Sequence, residues 1–233
     1  MNSRHDIRWC DCSDAHALAT AVASAMRDAI EAAVATRGTA FVALSGGNTP
    51  WPAYEALSHN ELAWDRVVII PTDDRLVPFG DPLSNVTATT KIFEPLGARV
   101  QPLTDATGSG PIADQRLRSL PWPLDFVLLG VGGDGHTASI FPGKDFAAAV
   151  DPHNPARALG VTPDPLPPEA PVARVSLTLA AIAAARAVAV AATGSNKRTV
   201  IERAIEEGSN SGFPVGRVLA AIPTPVRVYW APQ

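Results

Sequence analysis

Four short stretches of the chain gather residue types suited to holding an anion and moving a proton. Ser45-Gly46-Gly47-Asn48-Thr49-Pro50 joins two glycines, whose backbone N–H groups can come close to an anion, with the hydroxyls of Ser45 and Thr49 and the start of a helix. It is not the GxxxxGK[ST] loop of nucleoside-triphosphate enzymes, and a tight turn with an ordinary helix cap is its other reading. Thr72-Asp73-Asp74-Arg75 offers a guanidinium with parallel donors for a phosphate. Its acids could orient that guanidinium or meet sugar hydroxyls, and a solvated charged turn would carry the same residues. Gly130-Val131-Gly132-Gly133-Asp134-Gly135-His136-Thr137 presents an imidazole two residues from a carboxylate, a pair suited to proton transfer near neutral pH. A histidine that merely caps the turn is the alternative. Gly194-Ser195-Asn196-Lys197 places a lysine in the first turn of a helix, where the dipole disfavours a cation. That conflict points to an anion nearby, or else to a solvated lysine. Arg174 is a weaker basic candidate.

The third stretch also satisfies the GxGxxG dinucleotide pattern, but the context is wrong. That fingerprint needs a long helix next and an acid about 20 positions on, at the end of a strand. Pro142 cuts any helix short, and Asp151 lies in Asp-Pro-His-Asn-Pro. His5, His16, His59 and His153 sit in polar or terminal contexts and receive no role. Cys10 and Cys12 could hold a metal only with further ligands, for which His5 and His16 are the only nearby candidates, so they read as bystander thiols of a reducing compartment.

The elements that must position these stretches follow from the apolar pattern. Leu18, Val22, Met26, Ile30 and Val34 recur every four residues between Ser13 and Arg37, a helical stripe with Ser13 or Asp14 as its cap and Gly38 as its stop. Thr39–Leu44, Arg66–Pro71, Leu124–Gly130 and Ala187–Ala192 are near-continuous apolar runs, and each leads directly into one of the four polar stretches. Helices are expected from Pro50 through Leu57 with Thr49 as cap, over Ser84–Leu96, Pro111–Leu120, Thr178–Ala185 and Ser195–Glu207. Weaker strands are expected at Ala98–Pro102, Ala158–Val161, Val172–Leu177 and Val226–Trp230. Apolar strands alternating with helices indicate a mostly parallel sheet covered on both faces. The expected fold is one three-layer α/β domain over residues 1–233, and in such sheets ligands bind beyond the carboxyl ends of the strands.

Composition narrows the function further. Hydrophobic residues make up 46% and charged residues 18% of 233, which excludes a disordered or fibrous chain. A net charge of −4 argues against nucleic acid or a membrane surface as the main partner, though locally gathered basic groups could still hold a small anion. No apolar run approaches the length of a membrane span, and the start lacks an apolar signal core, so a cytoplasmic protein is expected.

With SGGNTP, DDRLVP…SN, GVGGDGHTASIFPG, RVSLT and GSNK in this order, the chain resembles the 6-phosphogluconolactonases. These belong to the superfamily of glucosamine-6-phosphate deaminases and ribose-5-phosphate isomerases, with a Rossmann-like α/β fold. The resemblance covers roughly Ala40 to Arg203 and is most specific from Gly130 to Gly143. Deaminases of the superfamily share GxGxDGH but continue differently from Thr137-Ala138-Ser139-Ile140-Phe141-Pro142. It implies hydrolysis of 6-phospho-D-glucono-1,5-lactone without metal or organic cofactor, with His136 as general base and Asp134 as the acid close to it. It also implies that Ser45, Gly46, Gly47, Asn48 and Thr49 form the phosphate loop and that Arg75, Arg174 and Lys197 surround the sugar phosphate. Three positions depart from the family pattern: Asp74 for a usual Glu, Asn48 for Ser or Thr, and Ser176 for Thr. The expected partner is a small sugar phosphate, with neither nucleic acid nor membrane, and the expected assembly is a monomer or weak homodimer. The rivals are a glucosamine-6-phosphate deaminase, which would release ammonia, and a sugar-phosphate sensor, which would bind without turnover.

Overall fold

The computed structural model describes residues 6–104 and 110–232. The first half runs β1 (Ile7–Asp11), α1 (Ala15–Arg37), β2 (Ala40–Leu44), α2 (Trp51–Ser58), β3 (Val67–Pro71), β4 (Asp73–Arg75), α3 (Asn85–Phe93) and β5 (Arg99–Val100). The second half runs α4 (Gly110–Arg118), β6 (Phe126–Gly130), α5 (Phe146–Ala149), β7 (Ala158–Val161), β8 (Arg174–Leu177), α6 (Leu179–Ala183), β9 (Val188–Thr193), α7 (Ser195–Glu207), α8 (Pro214–Ala221) and β10 (Val226–Ala231).

Seven strands form one sheet in the order β1-β10-β9-β6-β2-β3-β5, and every neighbouring pair is parallel. Side chains alternate between its faces, so each apolar strand feeds two cores. Ala43, Val127, Leu129 and Val190 pack with Leu117, Ile182, Ile201 and Val218, on the side of α4, α6, α7 and α8. Val42, Leu44, Phe126 and Leu128 pack with Leu18, Met26, Tyr54 and Phe93, on the side of α1, α2 and α3. The three-layer arrangement is the one expected. A second sheet, β4-β8-β7, is antiparallel and was not foreseen.

Local chemistry accounts for the element ends. Asp14, not Ser13, caps α1: its Oδ1 accepts from Ala17 N at 2.8 Å, and Gly38 closes the helix at φ 79° with its N–H on Val34 O. Val34 is only half-buried, and Ala33 takes the core position. A spacing of four drifts about 40° per step around a 3.6-residue helix, so the stripe turns off the sheet by its fifth member.

Two sequence expectations need correction. Thr49 does not cap α2: Pro50 holds the flanking position with no side-chain cap, and the Thr49 hydroxyl lies 3.3 Å from that of Thr193 instead. No strand was expected before α1, yet β1 pairs with β10 along the sheet edge. Arg8 and Asp11 are exposed and the residues between and before them half-buried, so the segment carries no clean apolar alternation. The helix α8 was also missed. Cys10 and Cys12 are free thiols, and among the described residues no group of three or more His, Cys, Asp or Glu side chains could hold a metal ion. His5 lies outside the described residues. No helix among them is long and apolar enough to cross a membrane.

Candidate active site

The carboxyl ends of β2, β3, β6 and β9 open onto a cavity of about 490 Å³. Strand β2 leads to β3 on one side of the sheet and β6 to β9 on the other, so the cavity sits where the winding reverses, the usual ligand position of such sheets. Ser45, Gly46, Gly47, Asn48 and Thr49 line it, together with Arg75, His136, Arg174 and Lys197. These sequence candidates, drawn from five separate segments, thus meet in one place. Asp134 stands behind His136 and lines a second cavity, also of about 490 Å³, walled by the proline-rich segment 163–168. His136 and Glu169 border both cavities.

The imidazole is fixed from two sides. His136 Nδ1 lies 2.6 Å from Asp134 Oδ1, which also accepts from His136 N at 3.1 Å. Burial acts to raise the Asp134 carboxyl, but its hydrogen bond to the ring and the ring's charge outweigh this and hold it below the ordinary carboxylate range. An ionised carboxylate only accepts, so Nδ1 carries the hydrogen, which in the neutral ring makes Nε2 the nitrogen with the lone pair. The ring also stacks on Phe141, with centroids 4.3 Å apart, and the Arg174 guanidinium lies 5.1 Å from the same phenyl ring. Gly132 sits directly beneath: a Cβ there would overlap both the imidazole and the Asp134 carboxylate. This is the reason for the glycine, and the dinucleotide-like spacing is incidental to it.

The turn that follows is held by hydroxyls. Thr137 Oγ1 donates to Gly130 O at 2.8 Å, Ser139 Oγ donates to Asp73 Oδ2 at 2.5 Å, and Ser139 N donates to Ser176 Oγ at 3.1 Å. Between them Ala138 has φ 48°, a left-handed conformation that costs about 1 kcal/mol for a residue with a side chain. The serine at 176 supplies the needed oxygen.

Charge is concentrated where the two sheets meet. Arg75 and Arg174 stand opposite each other in the β4–β8 register, an unfavourable pairing of like charges. Arg174 is 3% exposed, and burial lowers its guanidinium from the ordinary value, with Asp73 opposing and Arg75 adding to the effect. Ser45 Oγ, Arg75 Nε and Arg174 Nε are buried and have no hydrogen-bond partner among the described residues. Buried donors are normally paired. Three unpaired ones from residues around a single cavity fit an anionic ligand. Lys197, in the first turn of α7, is lowered by burial.

The two acids of the second stretch divide their work. Asp73 lines the cavity. Asp74 turns away from it, 2% exposed, and accepts from Arg75 N at 2.9 Å, Asn85 N at 2.7 Å, and Ser84 Oγ and Val86 N at 3.2 Å. It therefore organises the start of α3 and does not meet a ligand. Burial is the largest influence on its carboxyl and pushes it up. Asn85, Asp73 and Glu169 also line the main cavity without having been singled out as site residues.

The family model for glucosamine-6-phosphate isomerases/6-phosphogluconolactonase matches residues 13–230. A 6-phosphogluconolactonase of Mesorhizobium japonicum is 40% identical over 235 residues, covering 96% of this chain and 95% of its own. One from Pseudomonas aeruginosa is 33% identical, covering 94% and 90%. The crystal structure of a 6-phosphogluconolactonase from Shewanella baltica matches with a TM-score of 0.86 at 28% identity, covering 97% of each chain. Sequence, fold and cavity agree: the chain belongs to the glucosamine-6-phosphate isomerase/6-phosphogluconolactonase family, on its 6-phosphogluconolactonase side, which makes it a hydrolase.

Proposed function

We propose that the chain hydrolyses 6-phospho-D-glucono-1,5-lactone to 6-phosphogluconate, the second step of the oxidative pentose phosphate pathway, with His136 as general base. The observation that carries the role of His136 is its 2.6 Å hydrogen bond to Asp134, which leaves Nε2 free to accept a proton. The phosphate docks against the Ser45–Thr49 loop and the basic groups Arg75, Arg174 and Lys197, and its binding energy goes into orienting the lactone carbonyl. Nε2 takes a proton from water as the water oxygen attacks C1, giving a tetrahedral oxyanion. Backbone N–H groups of a glycine turn hold that charge. As the intermediate collapses, the bond from C1 to the ring oxygen breaks and His136 returns its proton to the departing oxygen. Asp134 keeps the hydrogen on Nδ1 throughout, so the transferred proton comes and goes at Nε2. Cys10 and Cys12 as free thiols fit a cytoplasmic location.

The direct test is lactone hydrolysis by the purified chain, measured as acid release above the spontaneous rate. Catalysed hydrolysis is expected; release of ammonia from glucosamine 6-phosphate in its place would overturn the assignment.

Lys197 gives this reading a pH signature. Its amine lies below the ordinary 10.5 because burial penalises the ammonium, and a phosphate dianion favours the protonated form. Affinity for 6-phosphogluconate should therefore fall as pH rises through the lowered value, with protons taken up on binding there. Inhibition constants measured across the alkaline range below 10.5 should show this limb, and Lys197→Met should remove it. A limb of the same size in the variant would assign it to another group.

A further inference from the structure

We propose that Asn85 is a positioning residue that locks the glycine loop and Arg75 into one anion-binding frame. The proposal rests on the reading of the main cavity as a sugar-phosphate site and names the part that sets its geometry.

Asn85 is 3% exposed at the start of α3, and its side-chain amide has three neighbours. Oδ1 accepts from Arg75 Nη1 at 3.0 Å, and Nδ2 donates to Asp73 O at 2.8 Å. A guanidinium has no acceptor and a carbonyl no donor, so these two partners admit one orientation of the amide. The third neighbour is Gly46, where a Cβ would overlap the Asn85 amide. The backbone at Gly46 is not in the left-handed region, so the amide is what forces glycine here. With Leu83 O taking a second bond from Nη1 at 2.9 Å, the inner side of the Arg75 guanidinium is anchored. Its Nε is buried without a partner among the described residues, and the residue still lines the cavity. One amide therefore sets the direction of the arginine and also the closest approach of the loop. The hydrogen bond from Asn85 N to Asp74 Oδ1 ties the same residue to the strand that carries Arg75. Asn85 acts through its neighbours and need not touch the substrate.

The interlock predicts non-additive effects, read by calorimetric binding of inorganic phosphate and by KM for the lactone. Asn85→Ala should weaken phosphate binding about 10-fold, the worth of a hydrogen bond to a charged group, and raise KM more than it lowers kcat. Gly46→Ala should push the amide aside and cost about as much. In the double variant the second change should add little, because the Cβ then enters space the amide has left. Asn85→Asp has the same size and leaves no hole. It should still bind phosphate more weakly than wild type, because it puts negative charge beside the anion and loses the donor to Asp73 O. Additive losses in the cycle, or wild-type phosphate affinity in folded Asn85→Ala and Asn85→Asp, would overturn the interlock. A wild-type chain that hydrolyses no lactone overturns the functional reading, and the phosphate cycle then still decides on Asn85. No phosphate binding by the wild type overturns both.

Discussion

Replacing His136 with alanine should lower turnover of the phosphorylated lactone by about 10²–10⁴-fold, the usual contribution of general acid–base catalysis, and leave KM near the wild-type value. The expectation follows from how little else the ring does. It is half-exposed at the cavity wall, its Nδ1 is committed to Asp134 and its face to Phe141, and the turn around it is held separately by Thr137 and Ser139. Loss of the ring therefore leaves the frame and the anion site standing. Initial rates of acid release, corrected for spontaneous opening of the lactone, are the measurement. Turnover within a few-fold of wild type would remove His136 from the chemistry.

Arg174→Met should have the second largest effect, and its sign on stability separates binding from architecture. The guanidinium is buried, faces Arg75 across the strand pair, and makes one long hydrogen bond, from Nη2 to Ala170 O at 3.3 Å. Without ligand it is thus a buried cation whose burial the Asp73 carboxylate does not fully offset and Arg75 makes worse, and replacing such a group by an apolar side chain of similar length is often neutral or stabilising. A hydrogen bond to a charged group is worth about 1.5–3 kcal/mol, so kcat/KM for the phosphorylated lactone should fall about 10- to 100-fold. The melting temperature without ligand should hold or rise. A lactone lacking the phosphate should lose less. A variant that melts several degrees lower, or that loses equally on both lactones, would make Arg174 a structural residue.

What could be read along the chain was whatever a single segment decides. An apolar strand running into a polar turn announces itself, so the cavity mouth and nine of its residues were legible from four strand ends and from Arg174. The helix α7 was equally plain, because its start, stripe and stop all lie within one stretch. What could not be read depends on partners distant in the chain. Asp73–Arg75 carries three charges and looks like a turn, yet it pairs with Arg174–Ser176 about a hundred residues later to make a strand. Asp74 looked like a ligand for sugar hydroxyls until α3 brought its N–H groups to that carboxylate. Gly46 and Asn85 each look ordinary, and only their contact explains either. Thr49 had the right letter for a cap, but a second threonine across the sheet took its hydroxyl.

The imidazole at the junction of two hollows has a consequence for how the enzyme is fed. In the proposed reaction the sugar phosphate occupies the hollow lined by the arginines, and the proline-walled hollow borders the same ring. The expected consequence is a second reservoir of solvent beside the imidazole while product occupies the first. Bulk added to the proline wall, at Leu166 for instance, would shrink that reservoir and leave the first hollow open.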